Sequence, residues 1–140
     1  TFPIRELLIN TSRQFIYTSA LPDHICSAAI TALPIAKSGY LQKRLQWNVL
    51  YFFEEIKRLG FEVASSSSQI VPIIVGKEAQ AMELSKDLLE RGVFAQAIRY
   101  PTVKKGQARL RISLNAMHRK RHWDLALSAL ETAGKKTGVL

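Results

Sequence analysis

Ala97-Ile98-Arg99-Tyr100-Pro101-Thr102-Val103-Lys104-Lys105-Gly106-Gln107-Ala108-Arg109-Leu110-Arg111-Ile112-Ser113-Leu114-Asn115-Ala116-Met117-His118 alternates strictly through its second half. In an extended chain successive side chains point to opposite faces, so Leu110, Ile112 and Leu114 share one side while Arg109, Arg111 and Ser113 share the other. That period of two predicts a strand over 108–114 with one face on a core and the other open. Pro101 and Gly106 predict a loop joining it to a preceding strand over 93–98.

Working outward, residues 70–75 form a near-continuous apolar run, interrupted by Pro72, that predicts a further strand. A short strand is expected over 61–64, with the serines at 65–68 as a turn. A helix over 77–89, stopped by Gly92, separates the strands, and a last helix is expected over 122–133. Upstream, Leu41, Leu45, Val49, Phe52, Phe53 and Ile56 repeat at helical spacing and predict a long amphipathic helix over 38–59, ended by Gly60. Earlier still, Thr1 and Pro3 suit a helix start running to about residue 13, and Phe15-Ile16-Tyr17-Thr18-Ser19 is aromatic and β-branched enough to predict an extended stretch. Leu21-Pro22-Asp23 then opens a helix over 24–33 that Pro34 ends or kinks. Its small, uncharged composition predicts burial on more than one side. The order of elements predicts an α+β fold in which a small sheet is covered by helices on one face. The expected organisation is a small α+β domain over 60–140, a connecting helix over 37–59, and helices of a larger neighbouring domain over 1–36.

The 140 residues are 47% hydrophobic and 22% charged, ordinary values for a globular chain. No apolar run approaches the roughly 20 residues that span a bilayer, and the first ten residues lack the features of a signal peptide, so the sequence reads as cytoplasmic with no membrane partner. The single cysteine, Cys26, excludes an intrachain disulfide, has no metal-ligand spacing around it, and is expected to be a small buried residue. Charge is the unusual feature. Of the net +9, much lies between Arg99 and Arg121, where eight positive side chains occur with no acidic one. Two arginines side by side on a strand repel unless an anion answers them, and arginine's planar fork matches a carboxylate bidentately. A small acidic ligand would supply that counter-charge. Solvation on an open sheet face, or pairing with distant acids such as Glu62 or Glu83, would account for the arginines equally well.

Residues 97–118 resemble the carboxy-terminal signature of the α-oxoamine synthases, pyridoxal-phosphate enzymes of fold type I, in which Ala-Ile-Arg-x-Pro-Thr-Val-x-x-Gly-x-Ala-Arg-Leu-Arg is followed by an apolar strand and Ala-x-His. Three further segments resemble the same family in the same order. They are Leu8-Ile9-Asn10 with Phe15-Ile16-Tyr17-Thr18-Ser19-Ala20-Leu21-Pro22, Ile70-Val71-Pro72-Ile73-Ile74-Val75-Gly76, and the step from Leu84-Ser85 to Gly92-Val93. Within the family, the Ala-Ile-Arg start and the Ile-Ser-Leu-Asn-Ala continuation look most like the biotin-pathway branch, which condenses L-alanine with a pimeloyl thioester with loss of CO2. Tyr100 departs from that branch, which usually has Pro there. Tyr-Pro is found in the aminolevulinate and aminoketobutyrate branches, so the acyl donor, and whether coenzyme A or a carrier protein bears it, stays open. Asp23 stands where a second Pro is common, a departure that alters only a helix start.

The resemblance implies pyridoxal phosphate as cofactor, a homodimer, and an amino acid and an acyl thioester as substrates. Arg111 matches the residue that clamps the amino-acid carboxylate. Arg99 matches a position near the acyl substrate, and Thr102 one that lines the same site. Thr18 and Ser19 match hydroxyls that reach the cofactor phosphate of the neighbouring subunit. Arg109 is expected to be structural, in an ion pair. His118 is expected to fix a loop by hydrogen bonding, and His24 and His122 to sit at helix starts or on the surface, so no histidine is assigned to acid-base work. None of the ten lysines stands in the family's cofactor-binding context. The chain is therefore expected to be part of a longer enzyme, inactive alone, with apolar surface exposed on its first helices.

A basic α+β module for nucleic acid is the alternative from another class. Against it, aromatic residues do not interleave with the strand arginines as stacking platforms would, and no RNA-binding signature is present.

Overall fold

A computed structural model describes residues 2–140; the Thr1 helix cap expected above lies outside them. The chain divides into two compact units, residues 1–38 and 39–140. The first contains helices α1 (Phe2–Thr11), α2 (Arg13–Ile16) and α3 (Asp23–Lys37). The second contains α4 (Tyr40–Leu59), β1 (Ile70–Gly76), α5 (Glu78–Glu90), β2 (Gln96–Ile98), β3 (Ala108–Ser113) and α6 (Lys120–Thr137).

In the second unit β3 is the middle strand of a three-stranded antiparallel sheet ordered β1-β3-β2. Leu110 and Ile112 are buried, while Arg111 between them and Ser113 beyond them are exposed, as the alternation requires. Helix α5 packs across all three strands, α4 packs on β1, and α6 packs on α4 and α5. The helices thus cover one face, the architecture that the pattern predicts. Phe52, Ile56, Val71, Ile73, Leu84, Leu88, Leu110 and Leu130 are fully buried between these layers. At about 1.5–3 kcal/mol for each large apolar side chain removed from water, this cluster dominates the stability of the unit. Gly60, at φ +100°, closes α4, its N–H donating to Lys57 O at 3.0 Å while Phe61 N–H reaches back to Ile56 O at 3.3 Å. Only glycine enters that left-handed geometry at no steric cost.

Two strands are shorter than the sequence suggests, each for a visible reason. Residues 61–64 make only an isolated bridge, Val63 to Ile73, although Ala64 N–H donates to Pro72 O at 3.0 Å. A residue's N–H and C=O point to the same side of a strand, so Pro72 offers this outer edge an acceptor and no donor. At the other edge, strand pairing begins at Gln96 rather than Val93. Val93 N–H is taken by Leu88 O at 2.8 Å, and the Ala95 carbonyl accepts from Ser85 Oγ at 2.5 Å.

In the first unit, the stretch expected to be extended over 15–19 begins as helix. Ser12 is an extended N-cap whose carbonyl accepts from Phe15 and Ile16 N–H, both at 3.0 Å, which closes the turn α2 in spite of the β-branched and aromatic side chains. Helix α3 starts at Asp23 and continues through Pro34 to Lys37. The Pro34 carbonyl still accepts from Ser38 N–H at 3.0 Å, so only its own missing donor interrupts the ladder. The expectation that α3 is buried on more than one side is corrected: no residue of α1, α2 or α3 is buried, and Cys26 is only half-buried. Three helices in 38 residues are too few to enclose a core of their own. Ile4, Leu8 and Ile30 are among the apolar side chains left exposed, as expected for these helices.

Candidate functional site

The open face of the sheet carries the strand cations. Arg111 lies mid-strand and exposed, opposite Pro72 on β1 and Gln96 on β2. Arg109 lies two residues away on the same face, opposite Ile74 and Ile98; at about 3.3 Å rise per residue the two side chains leave the strand roughly 7 Å apart. Among the described residues neither arginine has a carboxylate within ion-pair distance, so pairing with Glu62 or Glu83 does not occur. The ion pair expected for Arg109 is likewise corrected. Its Nε donates to Gln107 O at 3.2 Å and its Nη2 to Gln107 Oε1 at 3.4 Å, because the β3 entry loop folds a neutral acceptor back onto it. Gln107 carries no sequence signal of its own.

Because Ile98 pairs with Arg109, the turn after β2 sits at the end of the sheet where β3 begins. That turn is closed by Thr102 N–H donating to Arg99 O at 3.0 Å around a cis Tyr100-Pro101 peptide. Thr102 and Arg109, with Tyr100, Lys104 and Gln107, line an open cavity of about 400 Å³. The Lys105 ammonium stands 5.3 Å from the centre of the Tyr100 ring. Arg99 is exposed beside this cavity, and Arg111 lines none of the cavities described. Arg99 and Thr102 therefore share one turn, whereas Arg111 stands further along β3 on the uncovered face. Thr18 and Ser19 lie in the first unit, exposed in the segment between α2 and α3, where Thr18 Oγ1 makes only a long 3.4 Å contact to Ser19 O.

The loop that follows β3 is built around His118. Asn115 N–H donates to His118 Nδ1 at 3.4 Å, the Asn115 side-chain amide meets His118 Nε2 at 3.2 Å, and the imidazole stands edge-on to Trp123 at 4.8 Å. Asn48, buried on α4, donates to Asn115 O at 2.9 Å and ties the loop to the helix layer. Burial, and then the neighbouring His122, hold the His118 pKa below the ordinary histidine value. His122 sits in the first turn of α6, where its Nδ1 accepts from Arg119 N–H at 3.0 Å. His118 is thus a loop-fixing residue and His122 a helix-start residue. No group of three or more potential metal ligands occurs among the described residues.

The sequence pattern of the aminotransferase class I and II family matches residues 3–130. The chain belongs to that family. It is 42% identical to the 8-amino-7-oxononanoate synthase of Thermoanaerobacter pseudethanolicus over 136 residues, which are 96% of this chain and 34% of that protein. A Thermus thermophilus relative, named both 8-amino-7-oxononanoate synthase and 2-amino-3-ketobutyrate coenzyme A ligase, is 39% identical over 98% of this chain and 35% of its own length. Among solved structures, a serine palmitoyltransferase variant from S. paucimobilis holding pyridoxal phosphate with myriocin superposes with a TM-score of 0.83 and 26% identity, covering 99% of this chain and 35% of that one. The chain thus spans about a third of the length of the relatives it matches. The resemblance carried by residues 97–118 extends over 96% of the chain, and the cofactor of this family is pyridoxal phosphate. No described helix is long and apolar enough to cross a membrane.

Proposed function

We propose that this chain supplies the carboxy-terminal part of a cytoplasmic, homodimeric acyltransferase of the 8-amino-7-oxononanoate synthase type, which joins L-alanine to a pimeloyl thioester on the way to biotin. The observation that carries the reading is Arg111, an arginine without an acidic partner among the described residues, on the uncovered face of β3, inside the Ala-Arg-Leu-Arg motif. When bound, pyridoxal phosphate supplies an electron sink for carbanion chemistry at the α-carbon of an amino acid. The hydroxyls of Thr18 and Ser19 are exposed and weakly engaged, a donor set that suits a phosphate of the partner subunit. The cofactor's lysine is assigned to the remainder of the enzyme.

In the reaction, the alanine α-carbon loses its proton and forms a bond to the acyl carbonyl carbon. The thioester C–S bond breaks with departure of the thiol, the alanine carboxylate leaves as CO2, and a proton returns to the α-carbon. Arg111 grips the carboxylate bidentately and so fixes which α-bond is oriented for reaction. Arg99 meets the distal carboxylate of the acyl chain, and Thr102 lines its path. By itself the 140-residue chain is inactive on this reading.

The test is a substrate panel on the full-length enzyme carrying pyridoxal phosphate, with L-alanine or glycine against pimeloyl, acetyl and succinyl thioesters of coenzyme A and of acyl carrier protein. Preference for L-alanine with a pimeloyl thioester is the expected result. Preference for glycine with a short acyl group would instead place the enzyme in the aminoketobutyrate or aminolevulinate branch, to which Tyr100 already points.

A further inference from the structure

The apolar stripe of α4 does not account for all of that helix. Arg44, Trp47 and Tyr51 fall at spacings of three and four residues and therefore line a second face. They open onto a cavity of about 380 Å³ whose other wall is Arg119, Lys120 and Trp123 at the start of α6. The Trp47 and Tyr51 rings are parallel within 5°, with centres 5.4 Å apart. Trp47 nevertheless remains 61% exposed, so the stack offers an aromatic surface rather than closing a core. Trp123, by contrast, is buried against Phe52 and forms a fixed floor.

Charge in this cavity is of one sign. Among the described residues no carboxylate lies within ion-pair distance of Arg44 or Arg119, and Lys120 shares its charge with Asp124 at 2.8 Å. The guanidinium of Arg44 makes only a 3.5 Å contact to His118 O. The positive end of an 18-residue helix faces the same space. A wholly anionic ligand such as phosphate would leave the indole without purpose, and a neutral ring would leave two guanidiniums unanswered.

We propose that this cavity binds a nucleoside phosphate, with the base stacked on Trp47 and the phosphates held by Arg44, Arg119 and the first turn of α6. Base-on-aromatic stacking and bidentate arginine contacts are each strong enough to be seen on their own. The same chemistry occurs in a free nucleotide and in the nucleotide end of coenzyme A, and the site stands independently of the reaction proposed above.

Both tryptophans of the chain line this cavity, so intrinsic fluorescence and calorimetry report on it directly. Titration of the 140-residue chain with ADP is expected to give saturable quenching, with adenosine and inorganic pyrophosphate each binding at least about tenfold more weakly. Trp47 and Arg119 are exposed and Arg44 is half-buried with a single long contact, so Trp47→Ala and the double variant Arg44→Ala/Arg119→Ala should keep the native circular dichroism; each should weaken ADP at least about tenfold. Competition by coenzyme A for bound ADP assigns the site to the acyl carrier, whereas ADP binding that coenzyme A does not displace assigns it to a free nucleotide. Absence of ADP binding at millimolar concentration, or affinity unchanged in both variants, overturns the proposal.

Discussion

Pro72 stands directly opposite Arg111 in the β1–β3 ladder. On the other flank stands Gln96, so the guanidinium has uncharged neighbours on both sides and keeps its charge available for a ligand. In the full-length enzyme Arg111→Ala is expected to weaken amino-acid binding by roughly 2 to 5 kcal/mol, the cost of leaving a bound carboxylate unpaired in a closed site. Because the side chain is exposed, melting of the isolated chain should not change. Titration of the cofactor absorbance with L-alanine checks the first statement, and an unaltered apparent affinity would remove Arg111 from the site.

Asp87 joins α5 to α6. Its carboxylate, almost wholly buried, accepts from Arg91 Nε at 2.6 Å and from Lys136 Nζ. These hydrogen bonds, Arg91 first, hold its pKa below the ordinary carboxylate value. A depressed folded value means that the associated stability is present above the unfolded pKa of about 4 and drains away as pH falls through the folded value. Thermal melts should therefore show a loss below about pH 4 that is shallower in Asp87→Asn, with the variant already less stable at pH 7.

His118 titrates in a different window with the same sign. Its neutral form is favoured in the fold, by burial and by His122, so its contribution is complete above about pH 6.5 and declines as acid protonates it. Between pH 7.5 and 5.5 the melting temperature should fall, and in His118→Gln that slope should flatten. A slope identical in both proteins would place the titration elsewhere.

Gly134 is buried in α6 where a methyl group has no room. A Cβ there would come within 2.7 Å of Phe61 Cζ and 2.9 Å of Leu140 Cδ1 and Cγ. Gly134→Ala gains helix propensity yet should lose about 1–3 kcal/mol of net stability through overpacking, measured by urea denaturation. A stabilised variant would show that Phe61 and Leu140 yield easily.

Legibility in the sequence followed the range of the interactions involved. The strand at Ala108–Ser113 and the helix at Tyr40–Leu59 were readable because each has a strong period matched to one buried face. The edge strands are shorter than their composition suggests because pairing there depends on partners distant in sequence. Ser85 claims the Ala95 carbonyl from ten residues away, and Pro72 denies a donor to residues 61–64. The turn at Arg13–Ile16 departs from its composition for the opposite reason: a local Ser12 cap overrides the side-chain preference for extension. As for the site, the motif singled out Arg99, Thr102 and Arg111, but Gln107 as the partner of Arg109 and Asn48 as the tether of the 115–118 loop carry no pattern of their own. The second face of α4, with Arg44, Trp47 and Tyr51, was readable from spacing and was masked by the stronger apolar stripe.

The proline in β1 has one more effect. An unpaired strand edge is a template on which another molecule can add, the first step toward fibrils. With a donor missing at Pro72 and the register broken between Ile74 and Gly76, the outer rim of this small sheet is a poor seed for such growth. A chain that carries so many apolar helix residues on its surface is thereby protected at one of the two sheet edges where self-association would be hard to reverse.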